Sequence, residues 1–392
     1  MKIKVGILFG GCSVEHEVSI ITAVQAMEYF DKEKYEVIPI YIDKNRRWFT
    51  GENLLKMDSF KDLETIENRA IEVHLVRQDK EFVLIKAKGL LHKQVGVIDV
   101  AFPIVHGKGV EDGSLAGYLD TLGIPYVGPD MLGASLGQDK VVQKQVLSAD
   151  GIPVTQFVWF YENDYLTSKD SILKDIKKLG YPVIVKPARL GSSIGISFVK
   201  EEHFIEEAIE SALLYDEKVL VEEVVPNLVE VDCAVVGNYE SMETSLIGEM
   251  NTTNAFLTFD DKYLSEGGKK SCKSESTTGF KIPAVLDKEV EEKIYDYSKK
   301  AFRSLNLKGI TRFDFLVNQE SKEVYVNEPN TIPGCLAFFF FTKKGKTYTQ
   351  LLDECVSMTI KDYKNTVKKV TSFESNVLST YNGSKGGKGK MN

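Results

Sequence analysis

Two acids and an amide near the end of the chain, Asp314, Glu328 and Asn330, are spaced as a strand pair would gather them. Residues 310–317 and 323–328 alternate in hydrophobicity, and Asn318, Gln319, Glu320 and Ser321 between them are turn formers, so the segment reads as an antiparallel hairpin. That pairing brings Asp314 close to Glu328. Two carboxylates and the Asn330 amide oxygen on one sheet face repel one another unless a hard cation lies among them, and an all-oxygen set suits Mg²⁺. The plainer alternative is a pair of solvated strand residues.

A second segment with chemical content runs from Tyr181 to Val199. The apolar stretch Val183, Ile184, Val185 ends in Lys186, a loop holding Gly191, Ser192, Ser193 and Gly195 follows, and a second apolar strand begins. Strand, loop, strand is not the dinucleotide fold, and a Walker A site needs Gly-Lys-Ser/Thr opening a helix. Small residues that present backbone N–H groups beside a lysine can still cover a triphosphate. A tight hairpin with an incidental lysine gives the same pattern.

These groups need a scaffold of more than one core. At 392 residues the chain predicts two or three domains. A net charge of −8 with no long basic stripe argues against nucleic acid or an anionic membrane as partner, so phosphate affinity must be local. Five cysteines without paired spacing predict free thiols in a reducing compartment, and no zinc pattern is present. The start of the chain reads as a first strand rather than a signal peptide, and no segment is long enough to span a bilayer, so a cytoplasmic location is expected.

The opening alternates strand and helix: a strand over 4–9, a helix over 18–30 after the Gly10, Gly11 turn, and a strand over 35–42, the rhythm of a parallel sheet with crossover helices. Residues 43–95 suggest an added hairpin or small subsheet before residues 98–103 return to the core. Gly128 and Pro129 mark a boundary. The next unit is expected to hold one helix over 131–150, strands at 154–160 and 182–186, and a helix near 202–214. The last carries the acidic hairpin and ends in a helix over 348–363. The predicted units are therefore 1–128, 129–226 and 227–365. A Gly/Lys-rich tail over 366–392 follows.

Together the acidic hairpin and the lysine with its glycine loop resemble the ATP-grasp ligases. Gly10, Gly11, Ser13, Glu15, His16, Glu17 and Ser19 at the start narrow the resemblance to the D-alanine:D-alanine ligase family. The likeness extends through His106, Gly107, Glu111, Asp112 and Gly113, then Asp139 and Lys140, Asp261, Lys262 and Tyr263, and finally Arg312, Asp314, Asn327, Glu328, Asn330, Pro333 and Gly334. It implies a mixed α/β and α+β fold in the three-domain ATP-grasp architecture: a parallel α/β sheet domain followed by two ATP-binding α+β domains.

The resemblance also implies an ATP-dependent ligase that activates D-alanine as an acyl phosphate and joins it to a second D-amino acid, in the synthesis of peptidoglycan precursors. ATP and Mg²⁺ are implied, with two metal ions at Asp314, Glu328 and Asn330 and Mn²⁺ as a substitute. Lys140, Lys186 and Ser192 would contact phosphate, and Glu222 and Glu230 adenine and ribose. Glu15 would hold the ammonium of the first substrate and His106 its carboxylate. Arg312 and the Gly334 N–H would stabilise developing charge. Lys262 and Tyr263 would belong to a lid over residues 252–283, which keeps water from the acyl phosphate. A homodimer, with no nucleic-acid or membrane partner, is expected.

Three local departures accompany the likeness. Val110 stands where the family has glycine before Glu111, so the turn must use Gly109 instead or differ. The Glu222–Glu230 spacing is one residue longer. After Gly334, Phe338–Phe341 replace the stretch whose serine holds the second substrate's carboxylate, which leaves D-serine or another amine open as acceptor.

Overall fold

The first strand, β1 (Ile3–Gly10), ends at Gly10 and Gly11, with φ of +91° and +100°, and the turn leads into α1 (His16–Tyr29). A Cβ on Gly10 would lie 2.2 Å from the Ile42 carbonyl oxygen, so the turn needs glycine for space as well as for φ. β2 (Tyr35–Ile42) runs parallel to β1. The ambiguous stretch that follows supplies β3 (Trp48–Thr50), β4 (Ile71–Gln78), β5 (Glu81–Lys86) and β6 (Gln94–Ile98), all antiparallel, before β7 (Val100–Val105) returns parallel to β1. The sheet is thus mixed, seven strands in the order β6-β5-β4-β3-β2-β1-β7. α2 (Ser114–Leu122) then follows Gly113.

The expected helix over 131–150 is two helices, α3 (Met131–Gln138) and α4 (Lys140–Ala149). The break has a local cause. Asp139 is extended, and its carboxylate accepts hydrogen bonds from the N–H groups of Val141 and Val142, capping α4. β8 (Phe157–Tyr161), α5 (Glu162–Leu179), β9 (Val183–Pro187), β10 (Ser197–Val199), α6 (Ile205–Leu213) and β11 (Lys218–Glu223) complete this part. Its sheet is antiparallel, β10-β9-β11-β8.

The last part contains β12 (Leu228–Gly237), β13 (Met242–Met250), β14 (Phe280–Lys281), α7 (Lys288–Ser304), β15 (Gly309–Asn318), β16 (Val324–Asn330), α8 (Phe338–Thr342) and α9 (Tyr348–Thr366). The sheet order is β14-β13-β12-β15-β16. α9 does not close off a separate core. Leu351, Leu352, Cys355 and Val356 pack into the same apolar cluster as β1, β2 and α1.

The computed structural model describes residues 1–89, 93–250, 280–375 and 378. Lys262, Tyr263, most of the expected lid and most of the Gly/Lys-rich tail lie outside them. The expectation of five free thiols needs correction: Cys12, Cys233 and Cys355 are free, whereas Cys335 is disulfide-bonded, because spacing along the chain does not reveal which thiols fold together. No helix among the described residues is long and apolar enough to cross a membrane.

Candidate active site

The hairpin β15–β16 sets Asp314 directly opposite Glu328. Pairing continues to β12, where Asp232 is opposite Asp314, so three carboxylates stand in a row across three strands. Cations of the protein itself balance them. Arg312 grips Asp314 with two bonds, Nε to Oδ1 at 2.7 Å and an Nη to Oδ2 at 2.9 Å, and its Nε lies 3.0 Å from Asp232. Lys140 Nζ is 2.8 Å from Glu328, and the Asn330 amide donates to Asp314 at 3.1 Å. Carboxylates this close need positive charge among them, and Asp314, Glu328 and Asn330 offer hard oxygen donors from adjoining positions. The donor types suit Mg²⁺, while here Arg312 and Lys140 meet the electrostatic demand and the Asn330 amide turns its nitrogen to Asp314.

A second charged cluster lies beneath the glycine loop. Glu222 on β11 is 2% exposed, and its carboxylate takes Lys144 Nζ at 2.6 Å, the Thr155 hydroxyl at 2.7 Å and Lys186 Nζ. Burial alone would push the Glu222 carboxyl up, but the two lysines outweigh it and hold the group below the usual carboxylate range. For Lys186 burial pulls the ammonium down, and Glu222 and Glu328 more than reverse this. Lys140 Nζ also donates to the Leu190 carbonyl at 2.8 Å, tying the start of α4 to the glycine loop.

Glu15, buried just before α1, meets that loop from the other side. Ser192 donates its hydroxyl hydrogen to the Glu15 carboxylate, and both Ser192 and Ser193 hold positive φ, 54° and 58°. A Cβ on Gly191 would lie 2.9 Å from Glu15 Oε2, so a side chain there would push the Glu15 carboxylate from this position. The turn before Glu111 uses Gly109, at φ +91°, as Val110 requires. Glu111 accepts from the Gly107 N–H at 2.8 Å and from Thr331 at 3.1 Å. Burial, reinforced by the charge of Glu15, raises its carboxyl to about 7. His106 is 5% exposed, burial lowers it to about 4, and its Nε2 has no hydrogen-bond partner among the described residues.

Known proteins resemble this chain over nearly its whole length. Residues 4–129 match the D-ala D-ala ligase N-terminus family, and residues 146–357 match the D-ala D-ala ligase C-terminus family. The chain belongs to the D-Ala-D-Ala ligase family. The D-alanine--D-alanine ligase of Thermosipho melanesiensis is 40% identical over 376 residues, covering 96% of this chain and 98% of the relative. Among solved structures, the D-alanine-D-alanine ligase of Coxiella burnetii gives a TM-score of 0.77 at 27% identity, covering 94% of this chain and 96% of that one. The VanG D-Ala:D-Ser ligase of Enterococcus faecalis gives 0.76 at 29%, covering 92% and 100%. Membership places the chain among ATP-dependent ligases of the ATP-grasp fold.

The D-Ala-D-Ala ligase resemblance left the segment after Gly334 open, and its backbone there is strained. Cys335, Leu336 and Ala337 all hold left-handed φ, near 50°, at a cost of about 1–2 kcal/mol each for residues with a Cβ. α8 then turns its phenylalanines mostly inward. Phe340 and Phe341 are fully buried, Phe338 stacks on Tyr348 with ring centres 4.3 Å apart, and half-buried Phe339 packs near Phe280 at 5.8 Å. The run is largely core rather than a polar pocket wall. Relatives at 34–40% identity carry the name D-alanine--D-alanine ligase, and this overturns the alternative acceptor that the four phenylalanines had left open.

Lys144, Thr155 and Asp232 were not foreseen as parts of the site. For Lys144 a signal existed: it follows Lys140 by four residues, so the two lysines share a helix face with buried Val141 and Leu147 nearby. Asp232 follows Glu230 by two along one strand, which puts both on one face. Thr155, in an irregular segment, had no such signal.

Proposed function

We propose that the protein joins two molecules of D-alanine at the expense of ATP, giving D-alanyl-D-alanine for peptidoglycan precursors. The observation that carries the proposal is the convergence of residues from around three sheets on one site. Glu15 comes from the turn after the first sheet's β1, Lys186 from the second sheet with Ser192 in the loop after it, and Arg312, Asp314, Glu328 and Asn330 from the third. Units bounded at 1–128, 129–226 and 227–365 remain part of the proposal, one around each sheet.

A carboxylate is a poor electrophile, so the first D-alanine must be activated by the γ-phosphoryl group of ATP. Lys140 and Lys186 would neutralise the phosphates, with the Ser192 loop laid over them. Mg²⁺, in one or two ions held by Asp314, Glu328 and Asn330, would supply charge neutralisation for the in-line transfer. Glu230 would meet the ribose. For Glu222 the proposal is narrower: its oxygens face Lys144, Lys186 and Thr155, so it would act on the nucleotide through those lysines. Glu15 would pair with the first ammonium, His106 would lie near the first carboxylate, and Arg312 with the Gly334 N–H would stabilise the oxyanion when the second amine attacks. Lys262 and Tyr263 would complete the cover, since an acyl phosphate exposed to water hydrolyses.

Purified protein incubated with D-alanine, ATP and Mg²⁺ should yield D-alanyl-D-alanine, ADP and phosphate in equal amounts, measured by chromatography and phosphate release. Absence of dipeptide with D-alanine would overturn the reading. A cytoplasmic homodimer is part of the proposal, and a monomer in sedimentation would remove that part.

A further inference from the structure

Lys144 has no assigned role, yet it is 1% exposed and lies on the same face of α4 as Lys140, at the floor of the nucleotide cluster. Its Nζ is 2.6 Å from Glu222 and donates to Thr155 Oγ1 at 3.1 Å, while Thr155 donates in turn to Glu222 at 2.7 Å. The other Glu222 oxygen is held by Lys186, whose Nζ also donates to Asn327 Oδ1 at 3.3 Å. One carboxylate is therefore shared by two ammonium groups. An apolar side chain of similar length would fill the space at α4 without the cost of burying a charge. Packing alone does not account for a lysine there.

The charge count gives the reason. Glu222 paired with Lys186 alone makes a neutral couple, and a neutral couple attracts a polyanion weakly. Burial pulls the Lys144 ammonium down and Glu222 opposes this; with Lys144 protonated there are two positive charges against one negative, so the triad is left at +1. Glu328 and Glu230 also act on Lys186 through space, but neither is paired with it directly: Glu328 is engaged by Lys140 at 2.8 Å, and Glu230 lies on the neighbouring sheet. We propose that Lys144 is a positioning residue for the nucleotide: by sharing Glu222, it fixes that carboxylate and leaves Lys186 with positive charge to present to the triphosphate. The inference rests on the reading of this cleft as an ATP site.

The test is calorimetric titration of the full-length protein with ATP, and separately with adenosine, in Mg²⁺ buffer. Lys144→Met, which keeps length and removes charge, should weaken ATP binding by about tenfold or more and leave adenosine binding unchanged. Lys144→Arg should restore ATP binding. The decisive variant is Lys144→Met combined with Glu222→Gln, which returns the cluster to +1 and should recover much of the lost affinity. A merely structural role for Lys144 would not predict recovery from a second substitution in the same cluster. Should Lys144→Met not fold, the double variant against Glu222→Gln alone carries the same comparison, with tighter ATP binding expected in the single variant at +2. Unaltered ATP affinity in Lys144→Met, or equal weakening of ATP and adenosine without recovery in the double variant, overturns the inference. A wild-type protein that binds no ATP overturns the underlying reading of the cleft instead.

Discussion

The Ser192 hydroxyl donates to the Glu15 carboxylate, so the glycine loop is fastened to a residue 177 positions earlier in the chain. If that contact holds the loop down over the reacting groups, Ser192→Ala should loosen it. ATP consumed per dipeptide should rise above one as water reaches the acyl phosphate. Phosphate release compared with dipeptide formed measures the ratio, and a ratio still at one would show that this contact does not guard the intermediate.

Asp314→Ala and Glu328→Ala should each lower turnover by on the order of 10²-fold or more, since each removes an oxygen donor and disturbs a cation, leaving Arg312 with Asp232 alone or taking the carboxylate from Lys140. Both variants should keep the circular dichroism of the parent. Near-normal turnover of Glu328→Ala at saturating Mg²⁺ removes Glu328 from the metal assignment.

Glu111 gives the unliganded protein a pH signature. Its carboxyl, raised by burial and by Glu15 to about 7, binds a proton more tightly folded than unfolded, where the ordinary value is 4.5. The resulting stability is complete below that unfolded value and is lost as pH rises through about 7. Replacing Glu111 with Gln should flatten this part of the Tm profile by a few °C. His106 acts in the opposite sense: lowered to about 4, it favours the fold above 6.5 and costs stability as pH falls toward 4. A Tm profile for Glu111→Gln that parallels the parent's across this window would reject the role given to Glu111.

Phe340 fills space directly against Gly248, where an added Cβ would lie 2.4 Å from its ring. Truncation to Ala should cost about 3–5 kcal/mol, read by denaturant titration. Phe339→Ser should also lower Tm, by less, and leave the KM for the acceptor unchanged, because that ring packs among Phe280, Phe338 and Phe340. A lower acceptor KM in Phe339→Ser would instead put position 339 in the second substrate pocket.

Much of this was legible before any coordinates. The Asp314–Glu328 pairing follows from two alternating strands and a four-residue turn, and the structure has that register. Glycines with special φ at 10, 11 and 109 were readable from what side chains forbid. α5 is absent from the expected elements although Tyr165, Ile172, Leu173, Ile176 and Leu179 stand at helical spacing and pack into one apolar cluster. The break at Asp139 was missed because an aspartate inside a helical pattern reads as surface charge until its carboxylate is seen to cap the next turn. The Lys144–Glu222–Lys186 cluster joins positions far apart in the chain, a relation that local patterns do not carry.

The sharing of one apolar cluster by β1, β2, α1 and α9 bears on how the protein is made. During synthesis the first sheet emerges complete, yet the surface that Leu351, Leu352 and Val356 will cover stays wet until Tyr348–Thr366 has left the ribosome. The early segment must wait, half finished, for the late one. Nascent chains stopped before Tyr348 would therefore expose a sticky face on an otherwise folded unit, the kind of surface that holding chaperones recognise.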